Sequence, residues 1–126
     1  MEKTPTKIIR YLLGALLLFG GLNKFLGLAP APEHNAAAGA FLGALVATGY
    51  MMPIIGIVEI VCGAAFVAGR FVALAAVLLA PIAVNIVLVH AVLDPSGAAP
   101  GFFVGAANVY LLIVNLPKYQ DMLMPR

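Results

Sequence analysis

Four apolar runs, each about as long as a bilayer is thick, follow one another along this chain with only short polar breaks. A helix needs about 20 mostly apolar residues to cross the hydrocarbon layer. The runs cover about residues 8–28, 50–68, 71–93 and 101–116. The first carries Asn23 and Lys24 near its far end, and the second holds a single charge, Glu59. The third contains Pro81, Asn85 and His90, and the fourth Asn108 and Asn115.

The charge count closes off the soluble alternative. Hydrophobic residues make up 63% of the 126 residues and charged ones 10%, against about 25% charge in an ordinary soluble domain. A chain this short leaves much of its surface outside the core. Seven Lys and Arg with five Asp and Glu cannot cover that surface. Disorder is excluded by the hydrophobicity, and nucleic-acid binding by a net charge of only +2. One cysteine rules out an internal disulfide and a Cys-cluster metal site. The expected fold is an all-α, integral membrane four-helix bundle forming one domain in the lipid bilayer.

The connections fit this reading. Gly69-Arg70 is a very short turn, and Asp94-Pro95-Ser96-Gly97 is a turn cluster. The longer stretch from Ala29 to Gly49 opens with Pro30, Pro32, Glu33, His34 and Asn35. Ala36–Val46 follows, with Phe41, Leu42 and Leu45 on one side. It is too short to span, so a short interfacial or partly re-entrant helix is expected between spans one and two, over one mouth of the bundle. Lys3, Lys7, Arg10, Arg70, Lys118 and Arg126 all fall on one side of a four-span arrangement, which places both termini in the cytoplasm. The basic start and Ala29-Pro30-Ala31 also resemble a secretory signal with its cleavage site, but Asn23-Lys24 interrupts the apolar run.

Polar groups inside a membrane are costly and often mark a function. From the helical rise, Glu59 lies roughly 13 Å from the outer end of its span, Asn85 roughly 12 Å and Asn108 roughly 10 Å. Asn23 and Lys24 lie roughly 6–8 Å deep. Depth alone thus gathers Glu59, Lys24, Asn23, Asn85 and Asn108 into one layer in the outer half, as ligand-binding or proton-relay candidates. Gly56, Glu59 and Gly63 share one helix face, as do Gly101, Gly105 and Asn108. Such small-residue stripes let helices approach closely, either within one bundle or between protomers of a homo-oligomer. Asn85 faces the same way as Pro81, and Asn85 and Asn108 are expected to hydrogen-bond between helices. Asn115 reads as a cap or interface residue.

The remaining chemistry-bearing residues have plainer readings. His90 reads as a hydrogen-bonded interface histidine, and with His34 in a loop there is no pair for haem and no ligand set for zinc. Cys62 is a small buried hydrophobe. Tyr50, Tyr110 and Tyr119 read as interfacial anchors, and Met51 and Met52 as packing. No metal site is expected.

Gly20-Gly21-Leu22-Asn23-Lys24-Phe25 is similar to the end of the first span in the DoxX family. The resemblance continues through Thr48-Gly49-Tyr50-Met51-Met52-Pro53, Ile57-Val58-Glu59-Ile60-Val61-Cys62-Gly63 and Gly69-Arg70-Phe71. Pro81-Ile82-Ala83-Val84-Asn85-Ile86 and His90-Ala91-Val92-Leu93-Asp94-Pro95 follow in order, so that it runs from about Arg10 to Tyr119. It implies a small four-span protein of the bacterial inner membrane. The family takes its name from a subunit of a terminal quinol oxidase or thiosulfate:quinone oxidoreductase. The resemblance therefore implies a quinone context and a soluble or membrane oxidoreductase partner, with no intrinsic cofactor. Three readings stand side by side: a quinone-contacting or accessory subunit; a small-solute, proton or metabolite-binding protein gated by Glu59; and a structural scaffold in which the polar layer is only glue.

Overall fold

The structure is a computed structural model, and it describes residues 2–30 and 33–125. Ala31, Pro32 and Arg126, used above for the signal, loop and orientation readings, lie outside the described residues.

The described residues are helical throughout their ordered elements. They form α1 (Thr4–Leu26), α2 (Ala36–Ala47), α3 (Met51–Ala68), α4 (Val72–Leu88), α5 (Ala99–Val114) and α6 (Gln120–Leu123). A π-helical turn, Val89–Leu93, extends α4, and a 3-10 turn, Leu116–Tyr119, joins α5 to α6. Three helices are long and apolar enough to cross a membrane: α1, α3 and α4 with its extension. A fourth crossing forms if α5 and the segment after it count as one span.

Local chemistry sets the helix limits. Pro5 sits in the first turn of α1, where its missing N–H costs no hydrogen bond. Asn35 caps α2, its side chain accepting from the Ala38 N–H at 2.9 Å. The Thr48 hydroxyl accepts the Met51 N–H at 3.1 Å at the start of α3. Between α3 and α4 the chain reverses within three residues, with Gly69 and Phe71 both left-handed (φ +69° and +58°).

The chain runs up and down through α1, α3, α4 and α5, each helix packing on the one before it, and α5 returns to touch α1. Their shared core is apolar: Leu13 and Leu17 from α1, Cys62 and Phe66 from α3, Ala76 and Leu79 from α4, Val104 and Leu111 from α5. Further apolar side chains such as Leu16, Val58, Ile82 and Phe103 pack partly buried against it, and many large ones point outward, among them Phe19, Ile57, Leu74, Val84 and Ile113. In water such a surface would be a severe liability; in lipid it is the expected solvent-facing coat.

The closest packing is between α1 and α3. A Cβ on Gly14 would lie 3.0 Å from the Gly63 carbonyl oxygen, and one on Gly21 would lie 2.8 Å from that of Gly56. Two Gly–Gly crossings two turns apart therefore bring the backbones together. Gly101 and Gly105 of α5 make room for His90 and Val87 in the same way. Both glycine stripes are used within the bundle.

The helix expected between spans one and two is present as α2. Ala38 is buried, and Phe41, Leu42 and Leu45 are half-buried where α2 meets α3 and the π-helical turn. The fourth apolar run, expected over about 101–116, folds as α5 (Ala99–Val114). Helix α5 has 16 residues, and the chain then bends by 70°. Pro117 opens the 3-10 turn there, and the Asn115 side chain donates to the Leu111 carbonyl at 2.7 Å, capping α5. Tyr119, expected as an interfacial anchor, is buried and donates to the Ala73 carbonyl at 2.7 Å. That bond pins the chain after the bend against the first turn of α4.

Candidate functional site

Lys24 and Glu59 form the ion pair at the heart of the α1–α3 contact. Lys24 Nζ lies 3.0 Å and 3.1 Å from the two carboxylate oxygens. Lys24 leaves the last turn of α1, where a cation also complements the helix dipole. Glu59 sits halfway along α3, and its side chain is only 7% exposed against 25% for Lys24. Gly20 makes the space: a Cβ there would stand 3.0 Å from Glu59 Oε2. The pair thus has a buried acid and a base reachable from outside the bundle.

The rest of the expected layer does not join this pair. Asn23 turns to the end of α1, where its Oδ1 accepts the Ala29 N–H at 2.7 Å. Asn85 is exposed and donates to the Pro81 carbonyl at 2.9 Å within its own helix. It faces away from the core because it follows the core residue Ala83 by two positions, about 200° around the helix. Asn108 is buried, but its Oδ1 has no hydrogen-bond partner among the described residues. Among the described residues, then, neither Asn85 nor Asn108 makes the expected interhelical bond. His90, expected to be hydrogen-bonded, packs edge-on to Phe102 with Nδ1 unpartnered among the described residues.

Two clusters at the helix ends were not anticipated. At the end carrying the termini, Arg10 is buried and donates to both carboxylate oxygens of Glu2 at 3.1 Å and to the Phe66 carbonyl. It adds a second donor to a carbonyl at the C-terminus of α3 that also accepts the Gly69 N–H at 3.3 Å. The signal was an arginine two residues inside the first apolar run, at the end where α3 finishes. Beside it, the Thr6 and Tyr110 hydroxyls meet at 2.8 Å and tie α1 to α5.

At the opposite end, the buried Asp94 carboxylate accepts the Asn35 N–H at 3.1 Å and the Ser96 N–H at 3.1 Å, together with the Ser96 hydroxyl. His34 Nδ1 stands 3.5 Å away. These bonds, the Ser96 hydroxyl foremost, hold the Asp94 carboxyl down at about 2. The cluster locks the entry of α2 to the turn before α5.

Fold and site together define a small helical membrane bundle with the Lys24–Glu59 ion pair set into its span. The DoxX family model matches residues 6–91, more than half of the chain, and the chain belongs to that family. Lys24, Glu59 and Asn85 fall inside the match, while Asn108 and all of α5 lie beyond it. No curated protein and no solved structure matches the chain.

Proposed function

We propose that this DoxX-family protein is a quinone-contacting, accessory subunit of an oxidoreductase system in the bacterial inner membrane, with both termini in the cytoplasm. The observation that carries the reading is the Lys24–Glu59 pair. A charged pair inside a membrane helix contact is costly to keep, and this one has an exposed donor edge. The Lys24 ammonium can donate a hydrogen bond to a quinone carbonyl, and the Glu59 carboxylate can accept a proton released by a quinol. Electrons would pass between the quinone and the redox centre of a partner enzyme. The bundle's centre is filled by apolar side chains such as Leu13, Phe66 and Leu79, so this reading fits better than a polar solute pathway through one bundle.

Quinone-linked respiration, measured in membranes from cells carrying Glu59→Gln in place of the wild type, tests the proposal. We expect the activity to fall at least tenfold while the protein remains in the membrane at its normal level. Unchanged activity would remove the quinone role.

A further inference from the structure

A second site lies on the outer surface of α3 and α4. The two helices form an open groove of about 660 Å³, lined by Val61, Ala64, Ala65, Leu74, Leu78 and Arg70 among others. Neither Lys24 nor Glu59 lines it, so it is separate from the ion pair. The groove is apolar except at Arg70. That residue stands in the turn between Ala68, the last of α3, and Val72, the first of α4. The charged end of the groove therefore lies where the two spans meet the membrane surface. Arg70 is exposed, and its guanidinium makes no hydrogen bond or ion pair among the described residues. Glu2 reaches this end of α3, but Arg10 holds both of its carboxylate oxygens.

Position narrows the occupant. Val61 lies nine residues before Arg70 and Leu78 eight after it, so the groove runs roughly 12–14 Å inward from the arginine. The hydrocarbon of one leaflet is about 15 Å deep. A cation at the surface and an apolar trough one leaflet long match the two ends of a phospholipid. A guanidinium binds phosphate oxygens through two parallel hydrogen bonds. This end of the bundle also carries Lys3, Lys7, Arg10 and Lys118 beside Arg70, against Glu2 and Asp121, so a lipid of net negative charge suits it better than a zwitterion. A second copy suits it less. A two-fold axis along the membrane normal would set Arg70 against its own counterpart, cation facing cation. We propose that the α3–α4 groove binds one anionic phospholipid from the leaflet at the end carrying the termini. Its phosphate pairs with the Arg70 guanidinium, and one acyl chain lies along Val61, Ala64 and Leu78.

The test titrates the full chain in detergent with phosphatidylglycerol and phosphatidylcholine of identical acyl chains, and counts bound lipid by native mass spectrometry. We expect phosphatidylglycerol to bind about tenfold more tightly, the scale of one charge-assisted contact. Arg70→Gln should erase that preference and leave the protein folded, because the side chain makes no bond to lose. Arg70→Lys should keep part of it. Lys7→Gln removes the same charge from α1, away from the groove, and should change the preference by about twofold at most, the effect of a screened surface charge. Ala64→Leu, which fills the groove, should weaken both lipids. Equal binding of the two lipids by the wild type would overturn the proposal, as would a preference that survives Arg70→Gln. A loss as large in Lys7→Gln as in Arg70→Gln would reduce the site to diffuse charge and overturn it too. Displacement of the lipid by glycerol 3-phosphate would show a phosphate site with no use for the groove, which contradicts it. So would Ala64→Leu altering the monomer–dimer balance with no lipid added, since a second copy would then be the groove's occupant.

Discussion

Lys24 reaches Glu59 because Gly20, one turn before it on α1, has no side chain to stand in the way. The Nζ–Oε distances are 3.0 Å and 3.1 Å, and a Cβ at Gly20 would crowd Oε2 at 3.0 Å. The lysine also lies 3.4 Å from the Gly20 carbonyl. A pair built this way is sensitive to which partner is removed.

Lys24→Met leaves the buried Glu59 carboxylate without its counter-ion. We expect it to lower stability by about 2 kcal/mol, below the usual cost of breaking a buried pair because Lys24 is partly exposed. Glu59→Gln should be milder, since the long lysine stem can carry its charge outward. The double variant Lys24→Met with Glu59→Gln should recover most of the loss. Thermal unfolding of the four proteins in one detergent checks the order. A double variant as unstable as the sum of the singles would contradict it.

The α1–α3 crossing makes a prediction of opposite signs for the same substitution. Gly21→Ala drives a methyl to 2.8 Å from the Gly56 carbonyl oxygen, and backbone atoms there cannot step aside. It should destabilise by about 1–3 kcal/mol. Gly39→Ala and Gly43→Ala in α2 meet nothing within 4 Å. Each should instead stabilise by about 0.5–1 kcal/mol through lower backbone entropy in the unfolded chain. Melting temperatures of the three variants decide the matter.

How much of this was legible in the sequence varies with the geometry each feature needs. The crossing helices follow from length and hydropathy, and α2 follows from an apolar stretch too short to span. The ion pair was half-legible: Glu59 is the one charge in α3, and Lys24 lies in the same outer half, but their meeting depends on Gly20. Asn85 shows the limit. Its depth matched the others, yet depth says nothing about direction around the helix, and Ala83 two residues earlier occupies the core face. Arg10 and Tyr119 were hidden because their partners are backbone carbonyls of Phe66 and Ala73, which carry no residue-type signal.

Arg10 joins three elements through one planar group: the chain start at Glu2, α1 itself and the end of α3. Arg10→Lys keeps the charge but loses the fork that serves carboxylate and carbonyl together. We expect Arg10→Lys to lose about 1–2 kcal/mol and Arg10→Leu about 3 kcal/mol, the latter also leaving the Glu2 carboxylate without its partner. Equal stability of wild type and Arg10→Lys would contradict the bridging role.

The Asp94 cluster predicts a pH response with a definite sign. Its carboxyl is held at about 2, below its ordinary value of 3.8. A depressed acid stabilises the fold above the ordinary value and loses that contribution as pH falls through the depressed one. The α2 entry should therefore stay locked from neutral pH down to about 4 and loosen near 2. Pepsin cleavage around Phe41 and Leu42 reads this directly in acid. Asp94→Asn should be cleaved readily at pH 4, where the wild type resists. Equal cleavage of the two at that pH would contradict the lock.

Quinone retention tests the central claim most directly. Wild type and Glu59→Gln would be purified gently from the same membranes, checked for equal folding, and extracted with organic solvent for mass spectrometry. We expect the wild type to carry a quinone in near one-to-one amount and Glu59→Gln to have lost it. The same trace of quinone in both extracts would contradict a quinone site at the Lys24–Glu59 pair.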